Sequence, residues 1–425
     1  MTERNNENRN NSSKSYFKYL IFVLMLVQIL DTYSTIYPGS IPSLIVAEFL
    51  GGLPTNEANS TIALAGSITS IGMYFLFFNQ YLVDIVGRKL MLAITVVGMS
   101  IASLGMFLSV NYVMYVSFGF FLNFFFMSDI WLIYINEESK TNKRAINSNI
   151  IMMVGLVGAI IMVICRFIFI TEVSPNWRGM TLFPIILGIP LSILIYFTLK
   201  ESSKFKLIKE NEEKKSRTFI GDIKSLFQID DYKPYKMMLI ISFLFGFSNL
   251  FIGLFEKYIA DIGTISQTLV SIIFFLTIFT VMIAYLINGF LADRIGRKPL
   301  LYLWSFLLPI SVIIWVFGAL SSQSAFLIVF IGYAISHIAF WGLWGVIRLI
   351  TLELVPTDKR GTGLGFRSLI GAFGTTIGLL LSSLSILAFG LGVTFIIFVI
   401  ANLVIIPLGY FFIKETKGVD LAEIK

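Results

Sequence analysis

One cysteine, Cys165, and one histidine, His337, are all that the 425 residues hold of those two types. A lone cysteine excludes an intrachain disulfide and any cysteine metal cluster. A lone histidine excludes a His-rich metal site. No Gly-x-x-x-x-Gly-Lys-Ser/Thr loop is present, so nothing points to nucleotide hydrolysis. No nucleophile–base set is visible, so the chain does not read as an enzyme, and no cofactor or metal is implied. Charge is scarce as well. Only 13% of residues are charged, against about 25% in soluble proteins.

What is abundant is apolar. The chain is 56% hydrophobic, with 41 Phe and a mean hydropathy of +0.85. Apolar runs of about 20 residues recur throughout, the length that spans a bilayer as a helix. The short alternating segments of a membrane β-barrel are missing. The fold class is therefore all-α and polytopic. Net charge is +7 with a pI of 9.2. Basic residues confined to the loops of one membrane face account for this without nucleic acid.

Twelve spans are predicted, at about 16–38, 61–83, 90–110, 113–136, 146–170, 180–199, 237–260, 266–292, 300–320, 325–354, 363–389 and 391–413. Residues 1–15 are polar and expected to be unordered. Residues 200–236 carry ten Lys/Arg and seven Asp/Glu and form a linker. Within it Phe219, Ile220, Ile223, Leu226 and Phe227 have the spacing of a surface helix. The organisation is a bundle at 16–199, the linker, a bundle at 237–413 and a tail at 414–425. Both termini and the linker are expected on the cytoplasmic side of the plasma membrane.

The second half repeats the first. Gly289-Phe290-Leu291-Ala292-Asp293-Arg294-Ile295-Gly296-Arg297-Lys298 separates the second and third spans of its half. Gln80-Tyr81-Leu82-Val83-Asp84-Ile85-Val86-Gly87-Arg88-Lys89 occupies the same place in the first half, and the two aspartates lie 209 residues apart. Glu137 and Arg144 match Glu353 and Arg360, each pair seven residues apart, in the loops after the fourth and tenth spans.

The stretch 289–298 resembles the signature loop of the major facilitator superfamily (MFS). Glu353 to Gly361, followed by Thr362-Gly363-Leu364-Gly365-Phe366, resembles its sugar-porter and metabolite–proton symporter branches. Lys200-Glu201-Ser202-Ser203-Lys204-Phe205 and Lys414-Glu415-Thr416-Lys417-Gly418-Val419-Asp420-Leu421 are similar to two further segments of those branches. The resemblance implies two pseudo-symmetric six-helix bundles of MFS type that rock about a mid-membrane site. It implies that Asp84, Gly87, Arg88, Glu137, Arg144, Gly289, Asp293, Arg294, Gly296, Arg297, Glu353 and Arg360 gate the cytoplasmic side. Setting topology and turn shape is the plainer role for the same residues. The sugar-binding positions mostly depart: Phe243-Leu244 replaces paired glutamines, and Trp344-Gly345-Val346-Ile347-Arg348 replaces Gly-Pro-Ile-Pro-Trp. Asn249 does fit a polar position of the seventh span.

Charges inside spans mark a pathway, because hydrocarbon disfavours them. Asp31 lies about 22 Å into the first span at about 1.5 Å per residue, and could carry a proton or stay paired. Asp129 belongs to the fourth span. Arg166, towards the outer half of the fifth, could bind an anion or compensate an acid on another helix. Arg348 could bind a carboxylate or phosphate, or join the cytoplasmic latch. Glu256 and Lys257 are neighbours about 100° apart on a helix. His337 could titrate, or simply hydrogen-bond. The Asn59-Ser60-Thr61 sequon falls on the outer side.

The reading is a secondary active transporter whose expected partners are a small-molecule solute, protons and the lipid bilayer. Proton-coupled symport of an organic anion or sugar-like metabolite by a monomer leads. A proton-coupled exporter and a transporter-like solute receptor are the alternatives.

Overall fold

A computed structural model describes residues 2–126, 130–139, 144–202, 205, 232–321, 324–356 and 360–417. The helices are α1 (Thr2–Ile36), α2 (Pro42–Phe49), α3 (Thr55–Ser70), α4 (Phe75–Val86), α5 (Arg88–Phe107), α6 (Tyr112–Phe124), α7 (Ile130–Glu138), α8 (Arg144–Phe169), α9 (Leu182–Thr198), α10 (Tyr232–Phe247), α11 (Leu250–Ile262), α12 (Gln267–Ile295), α13 (Arg297–Gly318), α14 (Ala325–Leu354), α15 (Arg360–Ile400) and α16 (Ile405–Phe412). Among the described residues nine helical stretches are long and apolar enough to cross a membrane. One, Thr362–Phe412, holds two expected spans and bends at Gly390, whose φ is +76°. The second span is interrupted by a 3-10 turn at Ile71–Tyr74, and the fourth is divided between α6 and α7. Twelve crossings result, and the protein is a multi-pass all-α membrane protein.

Local chemistry places the helix ends. Asn111 accepts from the Met114 N–H at the start of α6, and Ser266 does so from Leu269 at the start of α12. Each satisfies a donor that the first turn leaves unpaired. Gly263, at φ +74°, ends α11 in a left-handed cap. The polar tail differs from expectation: helix continues back to Thr2. Once the span supplies the nucleus, each added residue costs little. Most of the linker, including Phe219, Ile220, Ile223, Leu226 and Phe227, lies outside the described residues.

The chain forms two compact units. The first comprises Met1–Tyr37, Phe75–Cys165 and Arg178–Lys214; the second comprises Pro38–Tyr74, Arg166–Trp177 and Lys215–Lys425. The second unit thus recruits α2, α3 and the end of α8 from the first half of the sequence. Its core is aromatic. Trp315 is wholly buried among Phe255, Tyr258, Tyr333 and Phe395.

The recruited α3 packs along α15. Ser60 donates to the Ser383 carbonyl at 2.8 Å and Ser67 to that of Thr376 at 3.0 Å, while Ser70 meets the Thr376 hydroxyl at 2.7 Å. Serine suits this seam, being small enough for close approach and able to bond a helix carbonyl. α2 packs on α11.

Candidate functional site

Two charged modules have the same construction. In the second unit Arg297 follows Gly296, which sits at φ +100° as the N-cap of α13. Only glycine adopts that backbone without strain. It lets α12 end at Ile295 and α13 begin at once, so the signature stretch is a one-residue break. Gly289 instead lies within α12, where a β-carbon would meet nothing.

Arg297 donates through Nε and Nη2 to Glu353 at 3.1 and 2.9 Å, and through Nη1 to the Ala292 carbonyl. Asp293 lies 3.2 Å from Arg297 but is mostly exposed, so that pair contributes little. The Glu415 carboxylate accepts the Arg297 and Lys298 backbone N–H groups at the start of α13, and Thr416 donates to Glu353. Arg294 stacks on Phe290, and its carbonyl accepts from Lys417.

The first unit repeats this. Gly87, at φ +108°, precedes Arg88, which donates through Nε and Nη2 to Glu137 at 3.1 and 3.0 Å. Glu201 accepts from the Arg88 and Lys89 backbone, and Ser202 donates to Glu137. In both modules a carboxylate meets the positive end of a helix dipole. Glu201, Ser202, Glu415 and Thr416 were not among the expected site residues. Their signal was a Glu followed by a hydroxyl residue, once after each half. The side chains of Asp84, Arg144 and Arg360 lie outside what the structure describes.

Glu415 carries a pH expectation. Partial burial pushes its carboxyl up, but the backbone N–H groups of Arg297, Lys298, Lys417 and Thr416 outweigh this and hold it below its ordinary value. A group with a lowered folded value contributes stability above the ordinary value, about 4.3 for Glu, and loses it as pH falls through the lowered one. The melting-temperature difference between wild type and Glu415→Gln should stay constant from about pH 8 to about pH 5 and shrink below about pH 4. Shrinkage already between pH 8 and about pH 6 would contradict this assignment.

A polar network occupies the other end of the second unit. α12 is 29 residues long, about 44 Å at 1.5 Å per residue, and separates it from the Arg297 module. Arg166 and Glu256 are wholly buried there, 3.8 Å apart. Arg166 donates to Ser271 Oγ at 2.9 Å, to the Ser40 carbonyl and to Gln267 Oε1. Its guanidinium lies over the Phe274 ring. Glu256 accepts from Ser43 N at 2.8 Å, from Ser43 Oγ and from Gln267 Nε2 at 2.9 Å. Gln267 therefore bridges the two charges, its oxygen taking one and its nitrogen giving to the other. Sequence reasoning named Arg166 and Glu256 separately; the structure joins them and adds Ser40, Ser43, Gln267 and Ser271.

Lys257 pairs with Asp261 one turn on, and Asp261 accepts from Asn59 at 2.7 Å. Asn59 is 2% exposed, so in this arrangement the sequon asparagine is not presented for glycosylation.

Asp31 is half-buried on α1, and its carbonyl accepts from Thr35. Asn249 donates to Thr375 Oγ1 at 3.3 Å, while its buried oxygen has no hydrogen-bond partner among the described residues. His337 Nδ1 lies 3.3 Å from the Tyr333 carbonyl, with its ring against Tyr333. Arg348 stacks over Trp344 at 5.5 Å. Asp129 lies outside the described residues.

The family model for "Sugar (and other) transporter" matches residues 20–240, and that for "Major Facilitator Superfamily" matches residues 237–424. A Bacillus subtilis (strain 168) protein named for metabolite transport, YwtG, is 27% identical over 381 residues, covering 81% of each chain. The match to a second such protein, CsbC, is 31% identical but spans only 30% of that protein's length. The glucose transporter GlcP of Staphylococcus epidermidis is 24% identical, covering 69% of this chain and 71% of its own. The inward-open xylose transporter XylE of E. coli superposes with a TM-score of 0.77 at 17% identity, covering 96% of this chain and 99% of the other. A structure titled D-xylose-proton symporter gives 0.78 at 16% identity, covering 95% and 99%.

Proposed function

Because the chain belongs to the sugar (and other) transporter family of the major facilitator superfamily, we propose that it carries a small, neutral, sugar-like metabolite into the cell together with a proton, by alternating access. It is a transporter and not an enzyme. The observation that carries the solute class is the state of Arg166. It is wholly buried, bonded to Ser40, Ser271 and Gln267, and its charge is already balanced by Glu256, so it offers little to a substrate carboxylate. Arg348 alone, stacked on Trp344, is weak support for an anion. Relatives named for glucose and metabolite transport support the neutral alternative.

Asn249, with an unsatisfied oxygen, is suited to receive a solute hydroxyl. Asp31 is the proton carrier in this reading. A carboxylate in the middle of a span loses water when its surroundings close, which favours the protonated form. Asp129 and His337 remain secondary pathway candidates. The protein works as a monomer in the plasma membrane, with both termini cytoplasmic, as its basic loops favour. The Arg88 and Arg297 modules then lie at the cytoplasmic ends of the two halves and gate that side.

The test is uptake of D-xylose and D-glucose by proteoliposomes under an inside-alkaline pH gradient. One proton per solute supports about tenfold accumulation per pH unit, since 1.36 kcal/mol is a factor of ten. Asp31→Asn should reduce accumulation to plain equilibration, a ratio of about one, while leaving solute exchange. Undiminished accumulation in Asp31→Asn removes the proton role. Extrusion in place of uptake identifies an exporter.

A further inference from the structure

We propose that Arg166 and Glu256 form a lock that holds the outer end of the transport path shut, and that a proton taken up by Glu256 from the outer side releases it. This rests on the alternating-access reading above. Ser40 and Ser43 lie just after the first span, in the turn before α2 and in α2, and Arg166 in the fifth span, all in the first half of the sequence. Glu256, Gln267 and Ser271 come from the seventh and eighth, in the second half. If the path opens outward at this end, these groups must part.

Several features separate the pair from a permanent structural bridge. Its charges sit on opposite sides of the seam, whereas Lys257 and Asp261 share one helix. Around it the seam carries single hydrogen bonds, neutral for Ser60, Ser67 and Ser70 and to a carboxylate for Asn59 and Thr268. Arg166 and Glu256 are also the kind of groups that water solvates well once they separate. An apolar contact of equal area would leave both open faces exposed to water. A buried ion pair holds when both partners are present, yet adds little net bias over a hydrophobic substitute. That combination suits a contact that must form and break each cycle.

The neighbours define how a proton acts. From α2 come neutral Ser43 and Glu48, the latter accepting from Trp177 Nε1. From α8 comes Arg166. In the segment after it, Glu172 accepts from Thr268 at 3.2 Å. On α11 itself, Asp261 is occupied by Lys257 and Asn59. At the start of α12, Gln267 and Ser271 are neutral. Arg166 is thus the cation facing Glu256. Protonating Glu256 leaves that cation buried without a counter-charge, which disfavours the shut state. The open state, with both groups in water, bears no such cost. Low outer pH therefore shifts the balance towards opening, and one linked proton changes the open-to-shut ratio by up to about tenfold per pH unit.

The experiment uses the full chain in lipid nanodiscs with Cys165→Ser, Leu53→Cys and Thr264→Cys, spin-labelled for distance measurement. Leu53 and Thr264 are exposed, Leu53 in the turn after α2 and Thr264 in the turn before α12, one on each sequence half. In the otherwise wild-type protein the short distance should dominate at about pH 8, with a longer population growing by about pH 4. Glu256→Gln should show the long population at both pH values, with the pH response lost. Gln267→Leu removes the bridge but no charge, and should raise the long population while keeping the pH response. It serves as the second reading if Glu256→Gln folds poorly. If D-xylose alters the wild-type distance but both variants behave as wild type, the lock is overturned and the transport reading stands. If neither pH nor D-xylose alters the wild-type distance, alternating access at this seam fails, and the lock with it.

Discussion

Glu353→Ala is expected to lower stability by about 3–5 kcal/mol, the cost of leaving a buried charge uncompensated. Arg297 is 9% exposed and receives two charge-assisted bonds' worth of partnership from Glu353, at 2.9 and 3.1 Å. Without Glu353 the guanidinium keeps, among the described residues, the Ala292 carbonyl and the exposed Asp293. Thr416 also loses its acceptor, loosening the end that carries Glu415. Thermal unfolding followed by tryptophan fluorescence in detergent measures the loss. Glu353→Gln keeps an acceptor and should cost less. The double variant Glu353→Ala, Arg297→Met should recover much of the stability, because the orphaned charge is gone. Glu137→Ala should match Glu353→Ala within about 1 kcal/mol, since Arg88 and Glu137 are similarly buried at 3.0 Å. A loss below about 1 kcal/mol in both single variants would mean that water already reaches the pairs.

Gly374→Ala is expected to disrupt the packing of α10 against α15. A β-carbon at Gly374 would stand 2.2 Å from the Phe243 carbonyl oxygen, and one at Gly378 would stand 2.3 Å from that of Phe247. The obstacle is backbone, so no side chain can swing aside. The helices must separate, and overpacking of this kind costs about 1–3 kcal/mol or more. Alanine's better helix propensity, worth about 1 kcal/mol over glycine, offsets part of that. Gly374→Val should prevent folding to a monodisperse species on size exclusion. Gly371→Ala is the control on the same helix. Its β-carbon would meet the Ser242 carbonyl at an ordinary 3.5 Å, so stability should hold or rise slightly. If Gly374→Ala and Gly371→Ala melt alike, the close approach is not limiting.

Much of this was legible before any coordinates. Apolar runs of bilayer length gave the span count, because hydrocarbon leaves the backbone few options but a helix. The duplicated stretches marked Arg88, Glu137, Arg297 and Glu353 as candidates and set Glu137 beside Arg144 and Glu353 beside Arg360; the structure instead joins Arg88 to Glu137 and Arg297 to Glu353. Gly374 and Gly378, one turn apart in the eleventh span, mark the helix face of close approach. The turn glycine was less clear. Gly289 and Gly296 stand seven residues apart in one motif, and only the backbone angles show that Gly296 makes the turn.

Composition, span length and internal repetition are properties of the chain itself, so the sequence alone determined a duplicated, twelve-span membrane scaffold, and the resemblance of its signature stretches implied transport. Which charges meet across distant helices depends on helix rotation and packing, and no local pattern encodes those. Arg166 and Glu256 are ninety residues apart and carry no motif. Only the tertiary structure brought them to 3.8 Å, placed Gln267 between them, and buried Asn59 against Asp261.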